Sequence, residues 1–105
     1  MPFINNCNFD LAGAVLQHLY GTLKPRSSSI AEGSLIEFDQ TPFVNGQGMA
    51  ETGWAYVPKS CNNGATCRIH VALHGCKQNA ADIGQAFVRN GGYNRWAEAN
   101  NLVVL

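Results

Sequence analysis

Arg68-Ile69-His70-Val71-Ala72-Leu73-His74-Gly75-Cys76-Lys77-Gln78-Asn79 is the stretch around which the rest of the chain is organised. Its first half has the period of two that a pleated backbone imposes, with Ile69, Val71 and Leu73 alternating with Arg68, His70, Ala72 and His74. Gly75 ends the pattern, because a residue without a Cβ permits a sharp turn and a close approach of backbone to ligand. Asn79 then suits a helix N-cap, and Asp82 follows where a carboxylate meets the positive end of a helix. Strand, His-Gly turn and helix leave backbone N–H groups pointing into a cleft.

Downstream, Ala80 to Arg89 and Tyr93 to Asn100 read as helix, parted by Asn90-Gly91-Gly92. Leu102-Val103-Val104-Leu105 is an unbroken apolar run with a β-branched centre, the pattern of a strand buried on both faces. Strand, helical crossover and strand predict a right-handed βαβ unit. Upstream, Asp10 caps a predicted helix whose apolar stripe is Leu11, Val15, Leu16 and Leu19, and Gly21 and Pro25 stop it. Lys24 to Gly33 reads as a flexible linker, Ser34 to Asp39 as a strand, Thr41 to Gly53 as a loop, and Trp54 to Val57 as a second strand stopped by Pro58. The loop holding Cys61 and Cys67 is expected to form a hairpin into the anchor strand.

At 105 residues the chain is at most one small domain. Seven basic and seven acidic residues cancel, so charge gives no argument for nucleic acid or an anionic membrane surface, and no apolar run is long enough to span a bilayer. Charged residues make up only 13%, against roughly a quarter in an average domain, and Gly and Asn take their place, which predicts many loops. Cys61 and Cys67 flank a turn-forming Asn-Gly segment, where a disulfide would close a short loop and stabilise by roughly 2 kcal/mol. Such a bridge points to an oxidising, extracellular or periplasmic destination. Met1 to Asn6 has neither a basic region nor an apolar core, so it does not read as a signal peptide, and the start of the chain reads as internal to a longer protein.

Val57-Pro58-Lys59-Ser60-Cys61, Gly64-Ala65-Thr66-Cys67-Arg68, Leu73-His74-Gly75-Cys76 and Gly92-Tyr93-Asn94-Arg95-Trp96-Ala97 resemble the poly(3-hydroxybutyrate) (PHB) depolymerase family of secreted serine carboxylic-ester hydrolases with an α/β-hydrolase fold. The likeness runs from Phe3-Ile4-Asn5-Asn6-Cys7 to Leu105 and is to the circularly permuted subtype, in which the catalytic serine, aspartate and histidine precede the His-Gly-Cys turn. It implies a partial α/β-hydrolase sheet: a β-hairpin plus a βαβ unit, with an additional N-terminal helix. Residues 1–105 would then form the C-terminal part of a longer catalytic domain, with the triad before Met1. The resemblance also implies an extracellular enzyme acting without a cofactor on a polyester or small ester. Feruloyl and acetyl esterases share the fold and the turn and stay open as alternatives. By the same likeness the backbone N–H of Cys76 belongs to the oxyanion hole, with the second donor on the residue after the missing serine, and His74 supports the turn rather than acting as base.

The residues alone leave other readings open. No serine lies in a Gly-x-Ser-x-Gly elbow, so by itself the chain should be catalytically silent. Cys76, beside a predicted helix start and near His74, could be a thiol nucleophile, or it could pair as cystine with Cys7 or with a cysteine elsewhere. Cys61, Cys67, His70 and His74 invite a zinc site, but residues four apart on a strand are separated by about 13 Å, too far for bonds near 2 Å to one metal. His18 and His70 read as structural. Of the aromatics that a polyester could stack against, Tyr93 and Trp96 fit core packing better, and Trp54 and Tyr56 are unassigned. A non-catalytic binding protein is the alternative class, with the open sheet edge covered either by the remainder of the domain or by a second copy in a homodimer.

Overall fold

The computed structural model describes residues 7–31, 34–44, 46 and 48–105. The Phe3–Asn6 part of the family resemblance and the reading of Met1–Asn6 lie outside the described residues. Helix α1 spans Leu11–Tyr20; the Asp10 carboxylate accepts the Gly13 N–H at one end, and Gly21 at φ 82 ends it at the other. Strands β1 (Leu35–Asp39) and β2 (Thr52–Tyr56) form an antiparallel hairpin across a loop that opens with a 3-10 turn, Thr41–Phe43. Short helix α2 (Lys59–Asn62) leads to β3 (Arg68–His70). Helices α3 (Ala80–Ile83), α4 (Ala86–Asn90) and α5 (Tyr93–Asn100) then cross to β4 (Leu102–Val104).

The sheet order is β1-β2-β4-β3, with β3 and β4 parallel in the register Arg68↔Leu102 to His70↔Val104. This is a partial α/β fold, a β-hairpin joined to a βαβ unit with α1 before them. The cysteine loop does not make the expected hairpin, because β4 inserts between β2 and β3 and pairs with Tyr56 through Val104. The chain beyond Pro58 must therefore travel past one strand position, and α2 carries it there. Cys61 and Cys67 are bridged across that passage, with Cα atoms 6.1 Å apart.

Leu16, Tyr56, Trp96, Ala97, Leu102 and Val104 form the core, between α1 and α5 on one side and the sheet on the other. The buried face of α1 is Ala12, Gly13 and Leu16, whereas Leu11 and Leu19 face solvent. The small residues win because α5 comes close: a Cβ on Gly13 would lie 2.6 Å from the Trp96 indole. That indole donates to Asp10 Oδ2 at 2.7 Å, so one carboxylate both caps α1 and ties it to α5. The buried Tyr56 hydroxyl donates to Glu98 Oε2 at 2.6 Å and accepts the Ala31 N–H at 3.1 Å.

Three further expectations are corrected. The segment from Lys24 is no free linker in its described part: Lys24 and Asn100 exchange two hydrogen bonds, and so do Ser27 and Arg95. Gly84, at φ 59, splits the first crossover helix, since its left-handed backbone cannot continue the turn of α3. In β4, Leu102 and Val104 are buried but Val103 is only half-buried and Leu105 is exposed, so the run is covered on one face and not on both.

Candidate oxyanion turn

The chain leaves the sheet gradually after β3. Leu105 N–H donates to the His70 carbonyl at 2.9 Å and Ala72 N–H to the Leu105 carbonyl at 2.8 Å, which holds residues 70–72 beside β4. Beyond that point the backbone turns. The Gln78 N–H donates to the Gly75 carbonyl at 3.3 Å, and the Gly75 N–H donates to Gln78 Oε1 at 2.7 Å. A Cβ on Gly75 would lie 3.1 Å from that same side-chain oxygen, so glycine suits the closeness of the contact. Cys76 and Lys77 are the two central residues. Lys77 has φ 57, a left-handed conformation that costs a residue with a side chain about 1 kcal/mol.

Cys76 is exposed, and its amide donates to no acceptor among the described residues. His74 Nδ1 is 2.9 Å from the Gly75 carbonyl oxygen, which makes Nδ1 the protonated nitrogen in that contact. The His74 ring also meets Phe87 of α4 edge-on at 6.2 Å. On the far side, Asn79 accepts the Asp82 N–H at 2.9 Å and donates its own amide to Asp82 Oδ2 at 2.9 Å, capping α3. The turn is therefore fixed before, within and after Cys76. A free N–H held that way can donate to an oxygen arriving from solvent without reorganising.

The other residues singled out do not gather here. His70 points to the opposite side of the strand, into the stack of Tyr20 and Tyr93, with its Nδ1 2.9 Å from the Tyr20 hydroxyl. Burial pushes its imidazole below its usual pKa. Cys61 and Cys67 are consumed in their disulfide, so the four-residue zinc set is not assembled. Cys7 and Cys76 are both exposed thiols, not joined to each other. His18 is exposed on the last turn of α1. Tyr56 and Trp96 are core residues, Tyr93 stacks on His70, and Trp54 is half-buried, so three of the four aromatics serve packing. Clefts of about 350 and 510 Å³ lie elsewhere, against Asp10 and Arg26 and against Arg89 and Arg95. Sequence reading missed Gln78, whose side chain closes the turn. The Gly-x-x-Gln spacing was visible, but nothing in it marks a side chain that folds back on a backbone amide.

No family model matches the chain. Residue by residue it is 60% identical to the poly(3-hydroxybutyrate) depolymerase of Delftia acidovorans, over 99% of this chain and 22% of that protein. It is 49% identical to the polyhydroxybutyrate depolymerase of Talaromyces funiculosus, over 99% of this chain and 31% of that one. The chain is similar throughout to PHB depolymerases. The fold agrees: the crystal structure of the PHB depolymerase from Penicillium funiculosum superposes with a TM-score of 0.91 at 48% identity, over 99% of this chain and 33% of that one. A PHB depolymerase complexed with an R3HB trimer superposes with the same score and coverage. The chain thus spans between about a fifth and a third of the length of these PHB depolymerases.

Proposed function

We propose that the chain contributes the oxyanion turn of a secreted PHB depolymerase-type serine esterase, as one part of a larger α/β-hydrolase catalytic domain. The observation that carries this reading is the uncommitted Cys76 N–H on a braced, exposed turn, in a chain 60% identical to a PHB depolymerase. In this scheme a serine from the remainder of the domain adds to an ester carbonyl of a 3-hydroxybutyrate unit. The carbonyl π electrons move to oxygen, and the Cys76 N–H stabilises the negative charge as it develops. When the carbonyl re-forms, the alcohol leaves with the proton that a base took from the serine, and water later releases the acid by the same route. His74 takes no proton here; it fixes the Gly75 carbonyl so that the following amide keeps its direction. The R3HB trimer bound by a structural relative supports a short 3-hydroxybutyrate ester as substrate, and the Cys61–Cys67 disulfide supports an oxidising destination outside the cell.

The test is a chimera in which this chain replaces the matched segment of the Talaromyces funiculosus relative, assayed on R3HB trimer and on PHB film. Cys76→Pro removes the N–H at a turn position that tolerates proline, and kcat should fall by about 10²–10³. Cys76→Ser keeps the N–H and should stay within a few-fold of the parent. Comparable losses in both variants would move the chemistry to the thiol, and no loss in either would remove Cys76 from the site.

A further inference from the structure

The larger of the two clefts, about 510 Å³, lies where residues 26–30, the end of α4 and the start of α5 meet. Sites for small ligands run from roughly 300 to 1,000 Å³, so the cleft is of ligand size. Arg26, Arg89 and Arg95 line it, and among the described residues no carboxylate does. Three of the chain's seven basic residues therefore share one hollow in a molecule of zero net charge. Like charges gathered this way repel, and an anion seated among them removes that cost.

The guanidinium forks are held in place. Arg95 Nε donates to the Ser27 carbonyl at 2.6 Å, and the Ser27 N–H donates to the Arg95 carbonyl at 2.9 Å, which ties one wall to the other. Arg89 Nε donates to Gln85 Oε1 at 2.6 Å. The side chain of buried Asn94 donates to the Val88 carbonyl at 2.9 Å and fixes the junction of α4 with α5. Arg26 Nη1 lies 3.3 Å from Asp10 Oδ2, but that carboxylate also takes the Trp96 indole N–H and the Gly13 N–H. One shared acid cannot offset three cations. Arg26 and Arg95 both keep terminal nitrogens that meet no acceptor among the described residues. A planar fork already held by its neighbours loses little further freedom on binding, and its two parallel N–H bonds match a carboxylate.

We infer that this cleft binds a carboxylate and, resting on the functional reading above for the choice of acid, that its ligand is the acid end of a short 3-hydroxyalkanoate. Each ester bond that is cut leaves one alcohol and one carboxylate. The products thus carry the group that guanidinium forks recognise, whereas the internal esters of a polymer carry no charge. A trimer of 3-hydroxybutyrate, the ligand of one structural relative, ends in one such carboxylate. Ile30, on the same wall, adds an apolar contact for a methyl-bearing chain. None of the residues of the 74–79 turn lines the cleft, so it is a second site, distinct from the proposed oxyanion donor.

The probes are 3-hydroxybutyrate and its neutral counterpart 3-hydroxybutyramide, neither of which has an ester to cleave. Each is titrated into the full 105-residue chain and into the chimera described above, with the arginine Nε–H resonances followed by NMR. The acid should bind saturably and shift the resonances of Arg26, Arg89 and Arg95, and the amide should bind about tenfold or more weakly. Arg89→Gln and Arg95→Gln should each weaken the acid about tenfold, while Lys59→Gln, at an exposed cation outside the cleft, should stay within twofold. Arg95→Gln also removes the bond to Ser27, so Arg89→Gln and the acid–amide pair, which needs no substitution, carry the test independently of it. Equal binding of acid and amide overturns the inference, as does a loss with Lys59→Gln that matches the arginine variants. Inorganic phosphate that binds more tightly than the acid also overturns it. A chimera that hydrolyses R3HB trimer but binds no 3-hydroxybutyrate removes this inference and leaves the functional proposal standing. Acid binding in a chimera whose hydrolysis ignores Cys76→Pro does the reverse.

Discussion

The two sides of the segment 68–73 live in different worlds. His70 is 8% exposed, while its neighbours Ile69 and Val71 are 62% and 59% exposed, although they are the more apolar residues. Alternation guarantees that the two sides differ; it does not say which side turns inward. The inward side is chosen by what can pack there, and α1 and α5 offer His70 two tyrosine rings and a hydroxyl. A neutral imidazole with such partners is buried at little cost, so the polar residue goes in. The apolar residues are left facing a side for which the described residues supply no cover.

The sharpest way to break this contrast is to truncate one residue from each side. Leu16→Ala or Leu102→Ala should cost the chain about 2–5 kcal/mol in urea unfolding, because each opens a cavity in the packed layer. Ile69→Ala should stay within about 0.5 kcal/mol. Equal losses would mean that the bare side is covered after all. Removing the disulfide tests the connection that brings the chain to β3: Cys61→Ser with Cys67→Ser should cost about 2 kcal/mol by the same measurement. Lys77→Gly, at the left-handed turn position, should instead stabilise by about 1 kcal/mol, and a loss there would show that the turn is held by the lysine side chain.

The smallest effect is the pH dependence of His70. Burial holds its folded-state pKa below the unfolded value near 6.5, so the unfolded chain binds the extra proton more readily. Its contribution to stability should be whole above pH 6.5 and should decline as pH falls through that value and on through the folded pKa. His70→Gln should flatten this part of the unfolding profile. A profile that His70→Gln leaves unchanged would place the imidazole in water and undo the comparison of the two sides.

Much of this organisation could be read beforehand. Asp10, Gly21, Asn79 and the Asn90-Gly91-Gly92 break mark helix boundaries through local chemistry that tertiary context did not override. The βαβ unit followed from apolar runs at each end of a helical crossover. What was not legible depended on distant partners. That β4 inserts between β2 and β3 is a fact of pairing, and no property of the cysteine loop announces it. The inward side of α1 is set by a tryptophan far along the chain, so the leucine stripe misled. Gly84 resembles the helix-interior glycines that proteins tolerate, and only its positive φ separates it from them. At the turn, Gly75 and Cys76 were visible as a motif, yet the bracing by Gln78 and Phe87 needed coordinates.

Gly13 has a consequence of its own. With no room for even a methyl group against Trp96, α1 and α5 seat like two parts machined to zero clearance, locked by the indole–Asp10 bond. Tyr20, at the other end of α1, rests on His70, and His70 lies on the strand that feeds the Gly75–Gln78 turn. Any side chain that wedged α1 outward would tilt this lever and shift the tyrosine. A single hydrogen atom in place of a side chain thus sets how closely α1 and α5 meet, and with it how Tyr20 seats against His70.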